Sequence, residues 1–264
     1  LLQKGEIKLF LDNIHFKVQA IENCGRVKIG VILVPTLIPK VNDCQIGDIV
    51  QFAKKWMPTV KGIHFQPVSY CGRVDVDPEY QDRITIPDVL DAIESQTEGE
   101  VRAKNFTPRG REDSHCAFAG MFILMGDGRL LPVTDFDRCQ SVIGPLGHLK
   151  ESPAAHARRF VTQRWRFIGE ESEKLKTGCS CTDYSCQAGS WQELFERARV
   201  HYLSISGMPF QDVWNIDLER LQNCCVHVVA PSKRLVPLCA FYLTSLDGER
   251  LYQNQSVAGA YSQG

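Results

Sequence analysis

The sequence predicts an α/β fold, and three neighbouring stretches carry that reading. Val27–Leu37 is a near-continuous apolar run rich in β-branched residues, the pattern of a strand buried on both faces. Behind it, Ile46, Ile49, Val50, Ala53 and Trp56 recur at helical spacing, which gives a helix with one apolar stripe. Gly62–Val68 (GIHFQPV) then reads as a second short buried strand. Strand, helix and strand in succession form a βαβ unit, whose strands must pair in parallel. The expected geometry places Val31–Pro35 beside His64–Val68, with a helix over Asp43–Trp56 covering them.

The local signals agree. Residues 1–26 read as helical, with Phe16, Val18, Ala20 and Ile21 as a core-facing stripe and Gly25 as its stop. Pro35 and Pro39 end the first strand, Asn42 and Asp43 are good helix starters, and Pro58 closes the helix. After a polar connection over Arg73–Pro87, Thr85 and Pro87 introduce a helix at Asp88–Gln96 whose apolar face is Val89, Leu90 and Ile93. Lys104–Gly110 is a loop. Cys116 leads an apolar run, Gly126-Asp127-Gly128 turns, and Arg129–Pro132 returns, a β-hairpin pattern.

Ala154–Ile168 reads as a helix with several arginines, either a solvated basic face or a contact to an anionic substrate group. Trp191–Leu203 reads as a further helix. Cys224-Cys225-Val226-His227 opens a second hairpin, which turns at Pro231-Ser232-Lys233 and returns through Arg234–Cys239. The two hairpins share a plan, cysteine at the start and Arg-Leu-x-Pro on the return, as an internal repeat would. A short strand pair is expected over Phe241–Leu251 around Asp247-Gly248. The polar tail, 253–264, is expected to be disordered.

Composition narrows the function. The chain has 264 residues, a 44% apolar share and a 23% charged share, the balance of an ordinary globular protein. A formal net charge of -1 gives no general pull on nucleic acid, and no nucleic-acid partner is expected. No apolar run reaches the roughly 18 residues a membrane span needs. The start, LLQKGEIKLF, has neither a signal-peptide layout nor an initiating Met. A cytoplasmic location is expected, and a chain that begins part-way through a longer protein.

The 11 cysteines are an odd number without a secretion signal, which argues against a disulfide framework. Eight of them lie from Cys116 onward. In a reducing compartment clustered thiols point to soft metals. Cys179, Cys181 and Cys186 sit within eight residues on a loop bounded by Gly178 and Gly189, close enough to converge on iron–sulfur or zinc. A Cys181–Cys186 disulfide and redox-active thiols are the competing readings. Cys225 and Cys239 meet where the second hairpin returns, with Cys224 or Cys116 as further candidate ligands. Adjacent residues of a strand point to opposite faces, so one of Cys224 and Cys225 is expected to reach a given metal. Cys24, Cys44 and Cys71 are assigned to packing or surface exposure. No glycine-rich dinucleotide fingerprint, P-loop, nucleophile elbow or HExxH appears, and the catalytic residues are not legible.

VPTLIPKVND, the IGDIVQFA helix and GIHFQPVSYCGR together resemble the last barrel repeats of radical S-adenosylmethionine enzymes. The branch they resemble holds the class D radical methylases, the archaeal tetraether lipid synthase and a related selenoprotein-type group. RITIPD lengthens the likeness, and FQDVWNIDLERLQNCCVHV with RLVPLCAFYLT resembles the C-terminal segment of the same branch. The resemblance implies the last repeats of a partial (β/α) TIM-like barrel over 1–100, followed by a cysteine-rich α+β auxiliary iron–sulfur domain with β-hairpins over 101–252. It implies S-adenosyl-L-methionine and 4Fe–4S clusters as cofactors, with zinc as the alternative metal. Gln66, Pro67, Val68 and Ser69 would pack the cosubstrate's adenine and methionine portions. Cys116, Cys179, Cys181, Cys186, Cys224, Cys225 and Cys239 are the candidate ligands. A reductant such as ferredoxin or flavodoxin would supply electrons.

In such enzymes a cosubstrate-derived radical abstracts hydrogen from an unactivated carbon, and this branch then methylates it or joins two alkyl carbons. The substrate is expected to be lipid-like or a small molecule. The family's Cys-x3-Cys-x2-Cys motif is absent from these 264 residues. The expected function is therefore that of the C-terminal part of a radical enzyme, not competent alone. The alternative is a non-catalytic iron–sulfur or zinc module for electron transfer.

Overall fold

The computed structural model describes residues 14–71, 83–108, 115–133, 197–231, 233–245 and 247–252. The order of elements is α1 (Ile14–Arg26), β1 (Val31–Leu33), β2 (Thr36–Leu37), α2 (Ile46–Lys55), β3 (Val60–Pro67), α3 (Ile86–Gln96), β4 (Thr107–Pro108), β5 (Phe118–Leu124), β6 (Leu130–Pro132), β7 (Tyr202–Gly207), α4 (Leu218–Gln222), β8 (His227–Val229), β9 (Leu235–Pro237) and α5 (Leu238–Phe241). One sheet has the hydrogen-bonding order β1-β3-β7-β5-β4, with β2 also on β3 and β6 also on β5; β8 and β9 form a separate pair. Two compact units emerge, one from 1–33, 48–63 and 120–205, the other from 34–47, 64–119 and 206–264. Strands β3, β5 and β7 have residues in both.

In the first unit, β1 pairs in parallel with the start of β3, Val31 opposite Val60 and Leu33 opposite Ile63. Gly62 lies so close to the Ser204 carbonyl that a Cβ would sit 3.1 Å from its oxygen. Lys61 is a buried lysine whose Nζ donates to the Val200 carbonyl at 2.7 Å. Burial brings its amine down to about 8. The hairpin β5–β6 pairs Phe122 with Pro132 and Leu124 with Leu130, and Gly128 adopts a φ of 83° in its turn.

In the second unit, β2 pairs in parallel with the end of β3, Thr36 opposite Gln66. The βαβ reading therefore stands, but the first strand is not buried on both faces. It is broken into β1 and β2, and Val27, Ile29, Ile32 and Val34 are exposed, Val27 to 65%. The reason lies in the strand order: β1 has β3 as its neighbour and ends the row. Helix α1 shows the same departure. Ile21 is buried, whereas Phe16, expected in its core stripe, is 61% exposed. Helix α2 does bury Ile46, Val50 and Ala53. It begins after a 3-10 turn at Asp43–Gln45. Asn42 does not cap it: its amide spans the loop, accepting from the Ile38 N–H and donating to the Thr36 carbonyl.

Helix α3 starts where Thr85 and Pro87 predict. Thr85 is its N-cap, and a reciprocal box joins the Thr85 side chain to the Asp88 N–H and the Asp88 carboxylate to the Thr85 N–H. Those bonds, the Thr85 hydroxyl first and its backbone second, hold the Asp88 carboxyl below the ordinary value. A lowered folded value makes the contribution fully present above the unfolded carboxylate's range and lost as pH falls through the folded one. Thr85→Ala should cost about 1 kcal/mol in urea denaturation at neutral pH. Asp88→Asn should flatten the acid side of the stability profile.

Strand β7 was not foreseen. Residues 197–200 are helical, but Tyr202 and Leu203, assigned to that helix, open a strand between β3 and β5. The second hairpin forms, His227 opposite Pro237 and Val229 opposite Leu235, but its cysteines lie outside its strands. Cys224 and Cys225 precede β8, and Cys239 sits in α5. The two hairpins are not copies in structure, because the first belongs to the main sheet and the second stands as its own pair. The strand pair over Phe241–Leu251 reduces to one antiparallel bridge, Thr244 with Arg250. No helix among the described residues is long and apolar enough to cross a membrane. The expected tail at 253–264 and the basic helix at Ala154–Ile168 lie outside the described residues.

Candidate metal centre

The second unit gathers four cysteines at one pocket. Cys116 arrives just ahead of β5. The loop after β7 supplies Met208, Pro209, Phe210 and Gln211. Helix α4 supplies Arg220, and Cys224, Cys225 and Cys239 come from the second hairpin and its exit. Local chemistry sets each position. Asp217 caps α4, its carboxylate accepting from the Glu219 and Arg220 N–H groups, which seats Arg220 in the first turn. Ala230, Val236 and Ala240 form a small buried core, with Leu221 and Phe241 packed on it. That core holds the hairpin ends that carry the cysteines.

The sulfurs already receive hydrogen bonds. Arg220 Nη2 donates to Cys116 Sγ at 3.3 Å and to the His115 carbonyl at 3.2 Å. The Gln211 N–H donates to Cys239 Sγ at 3.3 Å, and the Val226 N–H to Cys224 Sγ at 3.4 Å. Burial pushes the Cys239 thiol up. The Gln211 N–H pulls it back, neighbouring Cys224 and Cys116 push it up again, and Arg220 lowers it. Arg220 Nε is buried without an acceptor.

Both Cys224 and Cys225 line the pocket, where one was expected. Residues 224–226 lie ahead of the strand, so the opposite-face rule of a pleated backbone does not govern them. Cys116, Cys224 and Cys239 are half-buried and Cys225 is exposed. Among the described residues no three His, Cys, Asp or Glu side chains are grouped closely enough for one metal ion. A mononuclear tetrahedral site, with metal–sulfur bonds of about 2.3 Å, draws its sulfurs into a tight knot. A multi-iron cluster spaces its ligands wider. Four thiols are the soft donor set that iron–sulfur clusters and zinc both take.

A buried ion pair fixes one wall. Asp212, its side chain fully buried, takes Arg83 in a two-pronged contact at 2.9 Å and 2.9 Å. It also accepts from the Tyr70 N–H at 2.8 Å and the Trp214 N–H at 3.1 Å. Arg83 lies 5.1 Å from the centre of the Tyr70 ring. The residue before Asp212 is Gln211, whose N–H reaches Cys239. Behind this wall a smaller pocket is lined by Cys71, Asp212, Cys239 and Tyr242 among others. Burial, then the Asp212 charge, push the Cys71 thiol up.

The candidate cosubstrate residues close β3. Pro67 is buried; Gln66, Val68 and Ser69 are half-buried. The Ser69 hydroxyl donates to the Phe210 carbonyl at 2.7 Å, so it ties β3's exit to the loop that walls the cysteine pocket. His64 Nδ1 lies 2.9 Å from Ser206 Oγ on β7. In β3 the pattern alternates, Ile63 and Phe65 buried against half-buried His64 and Gln66. The alternation was present in GIHFQPV and marks a strand with one polar face. Cys179, Cys181 and Cys186 lie outside the described residues.

Comparison with known proteins adds to this geometry. The chain is 31% identical over 260 residues to a 7,8-dihydro-6-hydroxymethylpterin dimethyltransferase of Methanocaldococcus jannaschii. That relative is a methyltransferase by name. The match covers 85% of this chain and 50% of the relative, so the chain spans about half the relative's length. No protein-family model matches the chain. The likeness agrees with the methylase side of the resemblance and does not single out the tetraether synthase branch.

Proposed function

We propose that the chain is the C-terminal part of a radical S-adenosylmethionine methylase, and that Cys116, Cys224, Cys225 and Cys239 bind a 4Fe–4S cluster in it. The observation that carries the reading is convergence. Cysteines more than 100 positions apart line one pocket, with N–H donors on the sulfurs of Cys116, Cys224 and Cys239. The likeness to half of a methyltransferase supports the same family. Exposed apolar residues along β1 and α1 support a longer barrel, since last repeats need preceding ones to cover them. On this reading 1–100 are barrel repeats and 101–252 an auxiliary domain, and Cys179, Cys181 and Cys186 serve a further centre.

When bound, the cluster would supply electron transfer or an anchor for substrate. The chain's own residues do the rest. Gln66–Ser69 offer the end of a parallel strand, where cosubstrates sit in such folds. Arg220 and the Gln211 and Val226 N–H groups hold charge at sulfur. The relative's name makes a reduced pterin the first methyl acceptor to test, and a ferredoxin or flavodoxin the electron donor.

Anaerobic reconstitution tests the reading. The parent chain should take up iron and sulfide, and Cys116→Ser with Cys239→Ser should lose one cluster's share. Without the three-cysteine motif, neither should form 5′-deoxyadenosine from S-adenosylmethionine. Equal iron in parent and variant would remove the pocket from consideration, and deoxyadenosine above a no-protein control would overturn the fragment reading.

A further inference from the structure

We propose that Arg220 is the charge-compensating residue of the four-cysteine pocket, its guanidinium set to hydrogen-bond the sulfurs of an anionic cluster held there. The inference rests on the cluster reading above and concerns what sets that cluster's potential.

Three observations carry it. Arg220 Nη2 already bonds Cys116 Sγ at 3.3 Å. Its Nε is buried without an acceptor, in a residue that lines the pocket. A buried N–H without an acceptor is costly, and the described protein atoms provide none for this Nε. The third is placement: Asp217 accepts from the Arg220 N–H at 3.2 Å, so the capped turn that seats the side chain is itself fixed.

The chemistry follows from the donor set. Thiolates around an iron–sulfur core leave a net negative charge, and the described lining carries one cationic side chain, Arg220. Arginine offers several N–H groups in a rigid fork, so it can keep its bond to Cys116 and still present Nε to a second acceptor. Reduction adds an electron to an already anionic group. A fixed positive charge and hydrogen bonds to sulfur favour that reduced state and raise the potential. Arg220 acts through the cluster and is a positioning residue, not a catalytic one.

The test is an equilibrium redox titration of the anaerobically reconstituted chain, followed by absorbance and electron paramagnetic resonance, with iron and sulfide counted per chain. Arg220→Met should load like the parent but be reduced at least tenfold less at a fixed poise, a potential lower by about 59 mV for one electron. Arg220→Lys, which keeps the charge and loses the fork, should fall between them. Should Arg220→Met fail to load, Arg220→Gln, which keeps an N–H donor and loses the charge, carries the same comparison. Full loading with coincident potentials in parent and variants overturns the role of Arg220 and leaves the cluster in place. A parent chain that binds no iron overturns both.

Discussion

Arg83→Met should destabilise the chain by about 3 kcal/mol, the low end for breaking a buried ion pair. The cost arises on the partner. The Asp212 side chain is fully buried, and without Arg83 it keeps the Tyr70 and Trp214 N–H groups but no counter-charge among the described residues. Arg83 itself is 26% exposed, so the reverse variant, Asp212→Asn, lets the guanidinium turn toward water and should cost less. The double variant should recover part of the loss, since no uncompensated charge remains. Urea denaturation of the four proteins measures this cycle directly. A single Arg83→Met variant within about 0.5 kcal/mol of the parent would show that the pair does not hold this wall. The effect should also reach the cysteine pocket. Asp212 anchors Gln211, and Gln211 donates to Cys239, so the same variant should load less iron at a given concentration.

Gly47→Ala should destabilise by about 2 kcal/mol, although alanine is the better helix former. Helix propensity alone favours the change by about 1 kcal/mol. Packing decides otherwise. A Cβ at Gly47 would lie 2.5 Å from the Gln96 carbonyl oxygen and 2.8 Å from the Gln96 Cβ. The first is backbone at the end of α3 and cannot turn aside as a side chain does. Parting the segments would also break the bonds that join them, Gly47 N–H to Gln96 Oε1 at 3.0 Å and Gln96 Nε2 to the Asp43 carbonyl at 2.8 Å. A thermal midpoint above the parent's would mean that propensity outweighs this contact.

Elements with strong local cues were legible. Helix α3 began where Thr85 and Pro87 predict, because a cap and a proline act on their immediate neighbours. Parallel pairing of β1 and β2 with β3 followed from order along the chain, since a strand–helix–strand run closes in few ways. The hairpins followed from turn residues. Strand β7 was missed because Tyr202–Gly207 is short and adjoins a helix, and its β character depends on β3 and β5 lying on either side. Burial was misjudged at Phe16 and along Val27–Val34 because hydrophobicity tells what a residue would gain by being covered, not whether a neighbour is present to cover it.

The site divides the same way. Residue chemistry made Cys116, Cys179, Cys181, Cys186, Cys224, Cys225 and Cys239 candidate soft-metal ligands, through their type and their clustering. Which of them share a pocket was a matter of the tertiary fold. Cys116 joins Cys239 across more than 100 residues, and no spacing rule reaches that far. Nor could local pattern reveal that Arg220 would bond a cysteine, or that Asp212 would be closed off with Arg83. In the sequence these are two ordinary charges in a polar stretch. Burial removes water as their partner, and only then do their few remaining contacts decide what they do.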